Sequence, residues 1–144
     1  MMENKMISLD TIDELSSKTI GHDILRYVSL PQFLGHEKDT LLYFIGRNLA
    51  RNIHIQTIED LIYVFKKFDW GNLEVVKEKA NTITFHLMAD EVVHRLRSPF
   101  ETDFRLEAGF IAEAIQKING RPCECMEKIN ERLYRIQFTI HYTD

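Results

Sequence analysis

Two cysteines, Cys123 and Cys125, are the residues of this chain with the clearest capacity for chemistry. Their alternate spacing places both thiols on one face of a predicted strand, where His86 or His141 could approach from a neighbouring strand and complete a metal site. Two cysteines that face a core are more often small buried apolar side chains, and the histidines show no metal-ligand spacing. We therefore predict no bound metal, no cofactor and two free thiols, which are typical of a reducing compartment.

Other motifs that support catalysis are not found in the sequence. The six glycines never lie closer than 11 positions apart, whereas a dinucleotide-binding loop or a P-loop needs clustered glycines to approach a phosphate. No serine stands in a nucleophile-elbow context, and neither cysteine lies in a known catalytic signature. The sequence therefore predicts a protein that is not an enzyme.

Large and very small apolar residues indicate two kinds of packing site. Five phenylalanines lie on apolar faces of several predicted elements, where they either fill a core or line a pocket for an apolar ligand between helices and sheet. They are Phe44, Phe65, Phe85, Phe110 and Phe138. Three small residues, Gly46, Gly109 and Ala112, are candidates for close packing because they would let another backbone approach a helix.

The charge distribution limits the classes of partner. The 18 basic residues are scattered and the net charge is −4, so we predict no nucleic-acid binding. The densest basic group, His94, Arg95 and Arg97, is interpreted as solvated surface charge, with contact to an acidic partner as the alternative. No signal peptide is recognisable, and no apolar run approaches the roughly 20 residues of a transmembrane helix. We expect a cytoplasmic protein without a transmembrane segment.

Periodicity divides the first half of the chain into three helices. Residues 1–10 lack periodicity and are predicted to be disordered. A first helix follows over residues 12–28 and is ended by Pro31. A second helix is capped by Asp39 and runs to about Asn52, with Leu41 and Ile45 facing the core and Arg47 and Arg51 on its polar side. Thr57 and Asp60 form a capping box for a third helix.

The second half of the chain has mainly the two-residue period of strands. A hairpin is predicted around a turn at residues 79–81, and residues 89–103 are ambiguous, with a short helix before Ser98 and Pro99 as one possibility. A fourth helix runs from Leu106 to Ile118, with Glu107 and Glu113 on its polar faces, and stops at Gly120. Two strands, residues 121–129 and 133–142, complete the chain. These elements predict one α+β domain over residues 11–144, with about four to five helices packed on one face of a four-stranded antiparallel sheet.

Two segments of the sequence resemble a known family. Leu41–Ala50, LLYFIGRNLA, and Leu106–Glu113, LEAGFIAE, are similar to a small family of Gram-positive (Bacillota) proteins typified by YslB. The order of elements also resembles the wider superfamily of vinyl-reductase-type domains, TRAPP transport subunits and haem nitric-oxide-binding domains. That wider similarity is carried by Gly46, by Ala108-Gly109-Phe110, by Gly120, by Glu127 and by Phe138.

The resemblance implies an α+β fold, often a homodimer formed through helices, and in some members a pocket for an apolar ligand. Vinyl-reductase-type domains often carry cysteines after the strand that bears the glutamate, but residues 128–138 contain none here, and no histidine matches the haem ligand of the haem-binding relatives. No metal or haem role is therefore carried over. Our first hypothesis is a non-catalytic, homodimeric cytosolic interaction or scaffold domain, and the alternative is a sensor or carrier for a small lipid or aromatic molecule.

Overall fold

The computed structural model of the protein describes residues 7–14 and 20–144. The chain begins with helix α1 (Leu9–Glu14) and, after residues 15–19, continues with α2 (Ile20–Ile24). Part of the predicted first helix, and residues 1–6 of the predicted disordered terminus, lie outside the described residues. Leu9 and Asp10, which were included in that terminus, already belong to α1.

Pro31 does not end the first helical segment, contrary to the prediction. A π-helical turn (Leu25–Ser29) follows α2 and leads directly into helix α3 (Leu30–Leu34), so that Pro31 lies in the first turn of α3. A proline is tolerated there because the amide hydrogens of a first turn have no partner within the helix. The segment ends instead at Gly35, whose φ of 67° is a left-handed value that favours glycine.

Helices α4 (Lys38–Arg51) and α5 (Ile58–Lys67) lie close to their predicted positions. Asp39 is not the cap of α4, because the helix already begins at Lys38, directly after a 3₁₀ turn (Gly35–Glu37), and has no side-chain cap. The capping box of α5 is confirmed: the Asp60 amide donates to the Thr57 hydroxyl, and the Thr57 amide donates to the Asp60 carboxylate.

Four antiparallel strands form one sheet in the order β1-β2-β4-β3, as the sequence predicted for the fold class. They are β1 (Asn72–Glu78), β2 (Thr82–Met88), β3 (Cys123–Asn130) and β4 (Arg135–Tyr142). Burial alternates along the strands, because successive side chains point to opposite faces and only one face is covered. Phe85 and Phe138 lie opposite each other on that covered face.

Two further helices complete the α+β architecture. The ambiguous segment after β2 contains α6 (Asp90–Arg97), which stops before Pro99. Helix α7 (Arg105–Asn119) ends at Gly120 in the left-handed conformation, as predicted. Nine consecutive residues of α7, from Glu107 to Ile115, are buried, and α4 and strand β3 cover most of this part of the helix.

Helices α4 and α7 contact each other backbone to backbone. A Cβ atom built on Gly46 would lie 2.0 Å from the Leu106 carbonyl oxygen, and one built on Gly109 would lie 1.9 Å from the Tyr43 carbonyl oxygen. Ala112, the third small residue considered for close packing, is also fully buried. Gly46 and Gly109 therefore serve packing within one chain, which leaves other residues to form any contact between two chains.

Four of the five candidate phenylalanines lie in the core, and Phe44 does not. Phe65, Phe85, Phe110 and Phe138 are fully buried, and the rings of Phe65 and Phe110 meet edge to face with centroids 5.9 Å apart. Phe44 is 59% exposed because α4 turns Leu42, Tyr43, Gly46, Arg47 and Ala50 inward. Leu41 and Ile45, predicted to face the core, also lie on the outer side of this helix.

Candidate functional site

A cluster of buried charged side chains, here named the arm cluster, joins the N-terminal helices to α6 and α7. Its members are Arg26, Tyr27, Arg95, Asp103 and Glu107. Arg26 donates from both terminal nitrogens to Glu107, at 2.5 and 2.7 Å, and Arg95 donates to the same carboxylate at 2.8 Å. Both arginines also donate to the Asp103 backbone carbonyl, and the Tyr27 hydroxyl accepts from Arg95 Nε at 2.6 Å.

The ionisation of the arm cluster is set by burial and by its two arginines. Glu107 is fully buried, and burial alone would raise the pKa of its carboxyl group; the charges of Arg26 and Arg95 outweigh this and lower the pKa to about 2. Burial raises the pKa of the Tyr27 hydroxyl to about 12, so tyrosine remains neutral at physiological pH. The two carboxylates balance the two guanidinium groups, and the cluster is formally neutral.

A second cluster, here named the edge cluster, lies between α4, α7 and β3. It consists of Tyr43, Arg47, Glu113, Gln116 and Glu124. Arg47 Nε donates to Glu113 at 3.2 Å and Nη2 donates to Gln116 at 2.8 Å, while Nη1 reaches Glu124 at 3.2 Å. The exposed Arg51 side chain adds a further hydrogen bond to Glu113, at 3.2 Å.

The edge cluster also occupies the free edge of strand β3. The Cys125 backbone amide, which points away from β4, donates to the Tyr43 hydroxyl at 3.0 Å, and the Cys123 carbonyl accepts from Arg47 at 3.1 Å. The Tyr43 hydroxyl in turn donates to Glu124 at 2.8 Å. Side chains of α4 thus satisfy backbone groups that an edge strand usually leaves open.

The buried clusters correct the expectation that the charged side chains face solvent. Arg95, interpreted from the sequence as surface charge, is 8% exposed, and so is Arg47. Glu107 and Glu113, assigned to the polar faces of α7, are buried as well. The error arose because periodicity assigns charged residues to water, whereas here each carboxylate meets arginines from distant parts of the chain.

One sequence signal points to Glu113 but not to the other members of the clusters. Residues 108–115 are apolar or glycine apart from Glu113, and a helix that is apolar all round is normally buried, so a lone carboxylate within it must have a partner. Arg26 and Tyr27 give no comparable signal, because they become internal only through the π-helical turn that contains them. Asp103 lies in the irregular segment before α7.

A cavity of about 490 Å³ lies between the N-terminal helices and α6. Ile20 and Asp23 line it on one side, and Val93, Arg97 and Phe100 line it on the other. Its lining is therefore mixed in polarity, and it is a different place from the space between helices and sheet where the phenylalanine pocket was predicted.

The outer face of α4 carries exposed apolar residues at helical spacing. Leu41, Phe44 and Ile45 are 39%, 59% and 42% exposed, while the opposite side of the helix packs on α7. Asn48 continues this outer face, and it is bounded by the exposed residues Glu37 and Arg51 at the two ends of the helix. Leu41, Phe44 and Ile45 form an apolar stripe on the exposed side of the helix.

The two cysteines are buried and free. Burial raises the pKa of Cys123 to about 11 and raises the pKa of Cys125 well above its usual value, so neither thiol is activated as a nucleophile. Within residues 7–14 and 20–144, no group of three or more histidine, cysteine or acidic side chains is arranged to hold a metal ion. None of the helices in that part of the chain has the length and apolar character needed to cross a bilayer.

The chain matches the model of a protein family that is described as a protein of unknown function (DUF2507). That family model covers residues 19–141. The uncharacterized protein YslB of Bacillus subtilis is 30% identical over 135 residues, which are 94% of this chain and 91% of that protein.

Two solved structures share the fold. A vinyl-4-reductase family protein from Methanocaldococcus jannaschii superposes with a TM-score of 0.64 at 18% identity, covering 93% of this chain and 87% of that one. The unliganded Fe(II) H-NOX protein from K. algicida superposes with a TM-score of 0.52 at 12% identity, covering 94% and 88% of the two chains. These identities are low enough that the similarity concerns the fold alone. The family resemblance found in the sequence is confirmed, and the chain belongs to the DUF2507 family that includes YslB.

Proposed function

We propose that this protein is a non-catalytic cytosolic interaction domain that forms a homodimer through the outer face of α4. The observation that carries the proposal is the exposure of Leu41, Phe44 and Ile45 on a helix whose other side is fully packed. Exposed apolar side chains at positions i, i+3 and i+4 form the kind of stripe that another helix covers.

The charged residues at the two ends of α4 favour a second copy of the same helix as the partner of this face. Glu37 precedes α4 and Arg51 ends it, so two α4 helices that cross in antiparallel orientation place the acidic end of each beside the basic end of the other. The same crossing sets Phe44 of one copy against Ile45 of the other, which is the self-complementary geometry of a two-fold interface. A parallel crossing would instead bring like charges together.

The proposal that the protein is not a catalyst is supported by the positions of its buried carboxylates and thiols. The carboxylates of Glu107 and Glu113 are engaged by arginines inside the protein, and the two thiols are buried with raised pKa values. Groups held in this way are poorly placed to exchange protons with a substrate. Free thiols support the cytosolic assignment, since they persist in a reducing compartment.

The test compares the mass in solution of the wild-type protein with that of Phe44→Glu. At micromolar concentration we expect the wild type to sediment as a dimer and Phe44→Glu as a folded monomer, because two carboxylates would be buried against an apolar surface. Met126→Glu is the matched control, since Met126 is also 59% exposed but lies on the open face of the sheet. A monomeric wild type, or a dimeric Phe44→Glu, would contradict the proposal.

A second function, binding of a small molecule, is favoured by one observation, the cavity of about 490 Å³ beside α6. Its volume lies in the range of ligand pockets, and Ile20, Val93 and Phe100 give it an apolar part. Native mass spectrometry of freshly purified protein distinguishes this alternative, since a retained small molecule would add a defined mass to the folded chain.

A further inference from the structure

The N-terminal helical segment Ile20–Leu34, here named the arm, buries few apolar side chains. Only three residues of the arm are buried: Arg26, Tyr27 and Pro31. Leu25 and Phe33 are 53% and 89% exposed. By contrast, α7 is buried along nine consecutive residues, so the two segments are held in place by different means.

The arm is attached to the rest of the protein through the arm cluster. Arg26 contacts Glu107 and Asp103, while Tyr27 contacts Asp103 and Arg95. The π-helical turn Leu25–Ser29 directs both of these neighbouring side chains inward at once. Turns of this kind are rare and occur frequently at functional positions.

Because the arm is held mainly by hydrogen bonds and ion pairs, its release costs less free energy than the loss of an apolar contact of the same area. The attraction within a buried ion pair is largely offset by the cost of removing both charges from water, and the share of that cost that belongs to Arg26 is recovered when its guanidinium group is rehydrated. Two buried polar atoms, Arg26 Nε and Asp103 Oδ2, have no hydrogen-bond partner in the closed arrangement. Each would gain water on opening.

The body of the protein tolerates the departure of the arm. Glu107 keeps its hydrogen bond from Arg95 when Arg26 leaves, so its buried carboxylate stays compensated. Gly35 joins the arm to α4, has a φ of 67°, and has no atom within 4 Å of the position where a Cβ would lie. A residue with this conformational freedom and no packing contact is suited to be a hinge.

We propose that the arm is a strap that opens as a unit about Gly35 while α4, α7 and the sheet remain folded. Ile20 and Asp23 of the arm form one wall of the 490 Å³ cavity, and Val93 and Arg97 of α6 form the opposite wall, so opening of the strap exposes this cavity. The arm cluster is the latch that keeps it closed. This conformational change is separate from the proposed dimer contact on α4.

Hydrogen exchange of the wild-type protein, followed by mass spectrometry at increasing guanidinium concentrations, tests the strap directly. We expect peptides from residues 20–34 to exchange at least about tenfold faster than peptides from α7, with a weaker dependence on guanidinium, because a local opening exposes less surface than global unfolding. Exchange of both regions at one rate with one guanidinium dependence would overturn the proposal.

Arg26→Met tests the latch, because methionine keeps an unbranched apolar stem and removes the charge and its hydrogen bonds. We expect at least about tenfold faster exchange in the arm and less than threefold change in α7. Arg105→Met is the matched control: it removes a partly buried arginine that binds a carboxylate, Glu127 on β3, but whose side chain does not touch the arm or the outer face of α4. Equal acceleration of the arm and α7 in Arg26→Met, or no acceleration of either, would overturn the assignment of the latch. If Arg26→Met does not fold, the wild-type experiment decides the question.

Discussion

Glu107 shows how a single side chain depends on residues from three parts of the sequence. Its carboxylate is fully buried on α7, yet it remains charged because Arg26 from the arm and Arg95 from α6 both donate to it. Loss of both arginines would leave an uncompensated charge in the interior, and a buried charge without its partner costs about 3–5 kcal/mol in other proteins. The acid stability of the protein should therefore report on this residue.

The free energy of unfolding is expected to fall as the pH decreases from about 4.5 towards 2. The pKa of Glu107 is about 2 in the folded protein, whereas an unperturbed glutamate has a pKa of 4.5. The depressed pKa therefore contributes stability that is present above pH 4.5 and lost as the pH approaches 2. Urea unfolding between pH 7 and pH 3 measures this slope.

Glu107→Gln provides the comparison for that measurement. The variant lacks the titrating group, so its unfolding free energy should be lower at pH 7 and should depend less steeply on pH below 4.5. Identical slopes for the two proteins would show that other carboxyl groups dominate the acid response.

At the scale of single residues, the sequence predicted apolar burial better than polar burial. Phe65, Phe85, Phe110 and Phe138 were assigned to apolar faces, as candidate pocket residues with core filling as the alternative, and are fully buried, whereas Phe44 is exposed. Arg95 was misplaced because a charged side chain next to Arg97 normally stays in water. Its burial requires Tyr27 and Glu107, and no local pattern brings residues so far apart in sequence into contact.

The packing of α4 on α7 depends on two glycines at the crossing of the helices. Gly109→Ala is expected to lower the free energy of unfolding by about 1–3 kcal/mol, because its methyl group would lie 1.9 Å from the Tyr43 carbonyl oxygen and the helices would have to separate. The midpoint and slope of a urea unfolding curve measure this loss.

Gly21→Ala is the control for that experiment. Gly21 also lies in a helix, but no atom lies within 4 Å of the position of an added Cβ. The substitution should therefore be neutral or stabilise the protein by up to about 1 kcal/mol through the higher helix propensity of alanine. Equal effects of the two substitutions would indicate that α4 and α7 can move apart without cost.

Whole elements were predicted more accurately than the faces they present. The capping box at Thr57 and the left-handed Gly120 are local signals, and both elements they delimit lie where expected. The inward face of α4 was predicted only in part: Leu42 is buried as expected, but Leu41 and Ile45, which are apolar as a core face requires, lie on the outer side. Gly46 and Arg47 face inward instead, because Gly46 lets the backbone of α7 approach closely and Arg47 pairs with the Glu113 carboxylate of α7.

The molecule as a whole protects its two thiols. Cys125 is fully buried in the core, and burial raises the pKa of Cys123 to about 11. At pH 8 we expect both thiols to react with a disulfide reagent at least about 100-fold more slowly than glutathione, because the thiolate fraction is smaller and access requires opening of the structure. Absorbance of the released chromophore measures the rate.

Denaturant supplies the reference state for the thiol measurement. In 6 M guanidinium both cysteines should react rapidly, since the burial that raises their pKa values is lost. Rapid reaction of one thiol in the native protein would mean that the sheet and α7 separate readily at β3, and that the core is less cooperative than its packing indicates.

The contact of Tyr43 and Arg47 with strand β3 has a consequence for how this protein can aggregate or assemble. An exposed edge strand can pair with further chains and so start the growth of fibrils. In β3 the Cys123 carbonyl and the Cys125 amide are already hydrogen-bonded to side chains of α4. The β3 strands of two copies cannot form backbone hydrogen bonds with each other at Cys123 and Cys125 unless α4 is displaced first. Crowded conditions should therefore favour discrete particles over continuous β-structured polymers growing from this side.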